Sequence, residues 1–304
     1  MPDFLIESHL PISKSAKERI SHEPLITGDS FRAIADHIID ETKIPFNPRR
    51  VRNGDIIFLG RNYLSFFFEK IYPKILSPFF LITSNGTGPT FEGYRRGASP
   101  SIYKNKLNDS KIIKWFSRNV DLPQHPKMHI IPVGACWFSP IREIKVLQEE
   151  LNRVKKNFQM EKSIFCNVGF SVWTNPSKRE PCYSYFKKQS FASIVPSLPF
   201  PEYINTLKNS LFVISPEGCN IDCYRTWEAL ICGAYPVVQS STIDSLFEDL
   251  PVVIVNSWEE VTEEFLLLKK EEFERSYFNL EKLKFDYWKK IILNEKKKYL
   301  SKKN

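Results

Sequence analysis

The sequence predicts an α/β protein of two domains, each a parallel sheet wrapped by helices, and three observations carry that prediction. At 304 residues the chain exceeds the usual size of one hydrophobic core, so two domains of roughly 150 residues are expected. Its 42% hydrophobic and 26% charged residues exclude a disordered or fibrous chain. Continuously apolar, β-rich runs alternate with amphipathic stretches, as strands buried on both faces alternate with the helices that connect them.

In the first half, residues 55–60, 79–83 and 129–133 read as strands, and 30–41, 63–75 and 110–119 as helices. Asp29 or Ser30 would cap the first helix. Residues 141–158 form a polar helix without glycine, which reads as the connection between a domain of 1–138 and one of 139–304. Beyond it, 163–168, 193–195, 211–215, 235–238 and 252–255 read as short buried strands. Residues 269–302 contain no Pro or Gly, and Phe273, Tyr277, Leu280, Leu283, Tyr287 and Ile291 recur every three or four positions. That spacing predicts one long helix with one apolar stripe docked on the domains. No repeat of fixed period and no low-complexity segment interrupts the pattern.

Several function classes are excluded by what accompanies this pattern. Apolar runs such as 76–83 are far shorter than the roughly 20 residues a membrane helix needs. The first residues carry Asp3 and Glu7 and do not read as a signal peptide, so a cytoplasmic location is expected. Six cysteines in a chain of this length form no dense disulfide framework and are expected as reduced thiols. Cys219, Cys223 and Cys232 lack the His pair of a zinc site, and Pro126 keeps His125 and His129 off one helical face, so no metal is expected. The net charge of +8 is half terminal: residues 295–304 hold five Lys and one Glu. A solvated helix end explains them, and no zinc finger, helix-turn-helix or RRM signature points to nucleic acid.

The chemistry concentrates in residues 211–238, which read strand, loop, helix, tight turn, strand. A buried strand would deliver the loop 216–222 to the carboxyl edge of the sheet, where the next helix begins with its amides outward and attracts an anionic phosphate. Gly218 would allow close backbone approach, and Asp222 or Asn220 would cap the helix. Arg225 and Glu228 share one helical face, so the cation can meet a diphosphate and the carboxylate sugar hydroxyls, unless the two simply pair with each other. Gly233 would end the helix in a left-handed cap, with Pro236 fixing the next strand.

Pro216, Gly218, Arg225, Glu228-Ala-Leu230 and Gly233-Ala-Tyr-Pro-Val237 together resemble the donor-binding motif of exostosin-type and related GT-B glycosyltransferases. Residues 249–261, 80–85, 111–116 and 131–134 are similar to that group as well. The resemblance implies two Rossmann-like domains with parallel sheets facing across a cleft, the first for a hydroxyl acceptor and the second for a UDP-sugar. It implies that Glu228 holds the ribose hydroxyls and Arg225 the diphosphate. Unlike in Golgi-anchored members, no membrane anchor is expected from these residues.

Other roles stay open among several residues. Arg179, after residues 173–178, is a second candidate for the donor phosphates or part of a solvated basic loop. Asp29, His22, Glu23, His9 and Glu92 fall in predicted loops, and Asp29 is the candidate base to take the acceptor proton unless it caps its helix. The loop 84–89 is Gly-rich and reads as a substrate rim or a plain turn. Glu217 lies eleven residues before Glu228, a longer interval than in retaining GT-B enzymes, so the resemblance implies the inverting exostosin-like pattern; no Asp-x-Asp occupies a strand-end loop, which fits metal-independent chemistry. The expected function is therefore transfer of a sugar from a nucleotide sugar to an acceptor hydroxyl. Alternatives are an inactive nucleotide- or glycan-binding protein of the same fold and an anion-binding scaffold that uses the basic tail.

Overall fold

The computed structural model describes residues 19–85, 100–121, 124–135 and 141–302. Its described residues form two units, one of 19–85, 100–121, 124–132 and 285–302, the other of 133–135 and 141–284. Each holds a five-stranded sheet whose neighbouring strands all run parallel. The architecture is α/β with two Rossmann-like halves, consistent with the GT-B fold.

The first sheet runs β1 (His37–Ile39), β2 (Asp55–Gly60), β3 (Phe79–Ser84), β4 (Ile112–Ser117) and β5 (Met128–Ile130) in chain order. All six residues of β3 are buried, because strands flank it on both edges and apolar side chains cover both faces. Phe67, Phe79 and Trp115 are fully buried at the centre of one face. The polar atoms among them are satisfied: the Trp115 indole donates to Thr83 Oγ1 at 2.9 Å, and Thr83 donates to Ser117 at 2.7 Å.

Two expected helices of this half are corrected. The first ends after Gly28–Ala33, and the residues expected to form its second half make β1 instead, because pairing with β2 buries Ile39 completely. Residues 110–119 contain β4, where the Ile-Ile-Lys-Trp-Phe run fits a pleated, half-apolar surface better than a helix. The cap of the first helix is Thr27, whose hydroxyl accepts from the Ser30 amide, and neither Asp29 nor Ser30 takes that place. The terminal stretch is not one helix. Glu263–Glu274 and Phe285–Ser301 are separated by residues 275–284, where the Asn279 amide donates to Asp249 O at 2.8 Å. The expected stripe fails there, with Tyr277 91% exposed.

The helix Phe285–Ser301 belongs to the first unit, although it falls within the 139–304 expected as the second domain. Its buried residues are Phe285, Trp288 and Ile292; Phe285 packs edge-on against Phe31, and Tyr299 edge-on against Phe80. One lysine of the basic tail takes part in this docking: Lys296 pairs with Asp36 at 2.7 Å, while Glu295 pairs with Lys114 and, within its own helix, with Lys298.

That docking has a pH signature. Lys114 Nζ lies 2.7 Å from His129 Nε2, and burial together with the Lys114 charge pushes the imidazole below its ordinary range, against the opposing pull of Glu295. The fold thus favours neutral His129, while the unfolded chain takes up the proton first. Its contribution is complete above about pH 6.5, the ordinary value, and is lost as pH falls through the depressed folded value. Urea midpoints measured from about pH 8 to about pH 5 are expected to fall on the acid side, and His129→Gln to flatten that fall. An unchanged acid limb in the variant would remove His129 as its cause.

The second sheet consists of β6 (Ile164–Val168), β7 (Ala192–Ile194), β8 (Ser210–Ile214), β9 (Tyr235–Gln239) and β10 (Val253–Val255), in the order β10-β9-β8-β6-β7. All five are strands that the apolar runs predict. From β6 the chain moves outward to β7 and returns on the other side as β8, so the loops after β6 and β8 part at the carboxyl edge, as at a topological switch point. The helices Pro176–Phe186 and Phe200–Lys208 are not among the elements the sequence predicts, and each carries a proline near its start, Pro176 and Pro201. Both occupy the first turn, where a proline's missing amide costs no helical bond. Among the described residues no helix is long and apolar enough to cross a membrane.

Candidate functional site

The loop 215–223 leaves β8 at the carboxyl edge and enters the helix Tyr224–Ile231. Three contacts set this helix. Ser215 and Thr226 hydroxyls lie 2.9 Å apart, Trp227 Nε1 donates to Asp222 Oδ1 at 2.8 Å, and the Val133 amide donates to Asp222 Oδ2 at 2.7 Å. Asp222 is therefore a buried clamp and not the helix cap it was expected to be; the N-cap is Cys223, which makes no side-chain capping bond. Asn220 does not cap either, and its carbonyl accepts from the Gly218 amide at 3.1 Å. At the far end Gly233 takes φ 75°, the Ala234 amide donates to Ala229 O at 2.9 Å, and the expected left-handed cap is present.

Arg225 and Glu228 occupy one side of the helix. No ion pair joins them, so the simple pairing of an exposed helix face is not what holds them. Glu228 is 7% exposed and accepts from the Tyr203 hydroxyl at 2.8 Å through Oε2. The half-buried Arg225 guanidinium lies over the Tyr203 ring, 5.4 Å from its centroid. Burial, followed by the Glu228 carboxylate, pushes the Tyr203 phenol well above its ordinary range and keeps it a proton donor. Sequence reasoning missed Tyr203. It comes from the helix before β8, and only the packing of that helix on Tyr224–Ile231 brings it to the site.

Arg179 is not in a solvated loop but in the helix Pro176–Phe186, 7% exposed. Its five N–H groups meet five acceptors: Nε the carbonyl of Glu217, Nη1 the Ser171 carbonyl and Thr174 Oγ1, Nη2 the Pro216 carbonyl and Cys223 Sγ. It ties the loop after β6 to the loop after β8 and has no N–H left for a phosphate. The close approach at Gly218 is made by the same guanidinium, since a Cβ there would sit 2.5 Å from Arg179 Nη2.

On the other side of the helix a cavity of about 180 Å³ opens at the ends of β8, β9 and β10, with Ser215, Glu217, Thr226, Gln239 and Asn256 in its wall. Arg225 and Glu228 do not line it. Burial raises the Glu217 carboxyl above the ordinary carboxylate range, against the opposing charges of Lys178 and Arg179. Gln239 and Asn256 carried no signal in the sequence, because only the strand order places them beside Glu217.

The remaining candidates do not gather here. Asp29 is 1% exposed in the first unit, bonded by Arg19 at 2.5 Å and approached by Asn85 Nδ2 at 3.5 Å, which is a structural ion pair. His22 lies 3.3 Å from Thr27 Oγ1, and Glu23 pairs with Lys289. His9, Glu92 and residues 86–89 lie outside the described residues. The five described cysteines are free thiols, and His125 and His129 bond to different partners, the Lys127 amide and Lys114. Among the described residues no group of three or more His, Cys, Asp or Glu could hold a metal ion.

A parallel sheet whose switch-point loop feeds a helix bearing Arg225 and Glu228 is an arrangement that a glycosyltransferase-like protein can use. Residues 148–288 match the family of the RXYLT1 C-terminal domain, a glycosyltransferase family, and the match takes in all of the second sheet and the helix Tyr224–Ile231. No curated protein matches the chain.

Proposed function

We propose that the second unit binds a UDP-sugar and that the protein transfers its sugar to an acceptor hydroxyl, in the manner of the exostosin-type enzymes its motif resembles. The observation that carries this reading is the separation of Arg225 from Glu228: two opposite charges one turn apart, not paired to each other, beside a helix start whose N-cap residue Cys223 makes no side-chain capping bond. Such an arrangement suits a ligand that is anionic at one end and hydroxylated at the other. Glu228 would accept from the ribose hydroxyls, and Arg225 with the helix dipole would neutralise the diphosphate as it leaves. The acceptor hydroxyl attacks the anomeric carbon and gives its proton to a general base, the bond to the diphosphate oxygen breaks with its electron pair leaving on the diphosphate, and the configuration inverts. In this reading Arg225 and the helix do the work that a bound cation does elsewhere.

Calorimetric titration with UDP, GDP and a panel of UDP-sugars tests the site. UDP-xylose heads the panel, because the matched family is a xylosyltransferase family. UDP is expected to bind in roughly the micromolar range. Glu228→Ala is expected to weaken it roughly 10- to 100-fold, the scale of a lost hydrogen bond to a charged group. Absence of binding to every nucleotide, or full affinity in the variant, removes the donor site from this helix.

A further inference from the structure

Arg225 and Glu228 are both held by a third side chain, and the geometry points to what that side chain does. Tyr203 is a positioning residue that keeps the phosphate-binding and ribose-binding groups apart. This inference rests on the donor reading above. Tyr203 stands on the helix Phe200–Lys208, which is anchored by the buried Ile204 and Leu207, and it touches both charged groups. Its hydroxyl donates to Glu228 Oε2 at 2.8 Å and its face receives the Arg225 guanidinium at 5.4 Å. Both contacts act on groups that would otherwise attract each other. Arg and Glu three positions apart on a helix are within reach of an ion pair, and a pair formed here would use up the cation meant for the diphosphate and the carboxylate meant for the ribose. A hydrogen bond to a carboxylate is stronger than one between neutral groups, and the guanidinium prefers an aromatic face when partly desolvated. One tyrosine thus satisfies each charge without neutralising it.

The phenol's hydroxyl and its ring have separable duties, which makes the test specific. In Tyr203→Phe the ring and the Arg225 contact remain, while Glu228 loses the hydrogen bond that orients its Oε2. The protein is titrated with UDP and with its 2′,3′-dideoxy analogue. The wild type is expected to prefer UDP by roughly tenfold or more, since the analogue cannot bond to Glu228. Tyr203→Phe should lose most of that preference. Glu228→Gln should lose it as well, and the double variant should lose no more than either single one, as coupled groups do. A variant that is merely less well folded would weaken both nucleotides equally and keep their ratio. Retention of the wild-type ratio in Tyr203→Phe, or full additivity in the double variant, overturns the positioning role while leaving the donor site standing. A wild type indifferent to the missing hydroxyls overturns the assignment of Glu228 to the ribose, and this inference with it.

Discussion

Arg179→Ala is expected to be among the most destabilising single changes in the second unit. The side chain is 7% exposed, and its guanidinium bonds to Ser171, Thr174, Pro216, Glu217 and Cys223. Its removal leaves three backbone carbonyls without that donor and unties the loop after β6 from the loop after β8. The loss should be roughly 3–5 kcal/mol, the scale for deleting a charged, hydrogen-bonded group from an interior. At roughly 2–4 °C per kcal/mol for a domain of this size, the midpoint should fall by about 10 °C. Arg179→Lys is expected to recover only part of it, because an ammonium offers three donors at a point and not five in a planar fork. Differential scanning calorimetry decides. A shift under about 2 °C for the alanine variant would mean that the loops hold each other without Arg179. Nucleotide affinity should fall along with stability, since the loop 215–223 sets the start of the helix that carries Arg225.

Gly233→Ala is expected to be the second large effect, for a reason of backbone geometry. Gly233 takes φ 75°, where a Cβ costs roughly 1–2 kcal/mol by itself. That Cβ would also lie 2.3 Å from the backbone carbon of Asn157, an atom that cannot rotate away. Asn157 is 2% exposed, and its amide donates to Glu150 O, Glu150 Oε2 and Ile231 O, so moving it disturbs the end of the same helix. A total of about 3–4 kcal/mol is expected, near the upper end for point changes. Gly54 supplies the control. Its φ is 85°, but the nearest obstruction is the tip of Leu300, Cδ2 at 2.9 Å, which can turn aside. Gly54→Ala should therefore cost only the conformational term, about 1–2 kcal/mol. Equal losses in urea unfolding for the two variants would refute the contact with Asn157 as the source of the difference.

What the sequence determined by itself was local. The apolar runs marked all five strands of the second sheet; both-face burial explains β6, β8 and β9, which have strands on both sides, whereas the edge strand β7 leaves Ser193 and Ile194 exposed. The order strand, loop, helix, glycine turn and strand in 211–238 was legible, since the glycine cap and the helical face of Arg225 and Glu228 depend only on neighbouring residues. Only the tertiary structure decided the partners. Asp222 reads as a cap until the Val133 amide, 89 positions away, claims its carboxylate. Arg179 reads as a phosphate ligand or part of a solvated loop until the switch point brings the loops after β6 and β8 to its guanidinium, and Tyr203 carries no mark until its helix packs beside Tyr224–Ile231. The helix Phe285–Ser301 follows the second unit in the chain yet packs with the first, because Phe31 and Phe80 offer its aromatic side chains their partners. Propensity and spacing act over a few residues, whereas a buried polar side chain takes whichever donor or acceptor the packing sets beside it, at any distance along the chain.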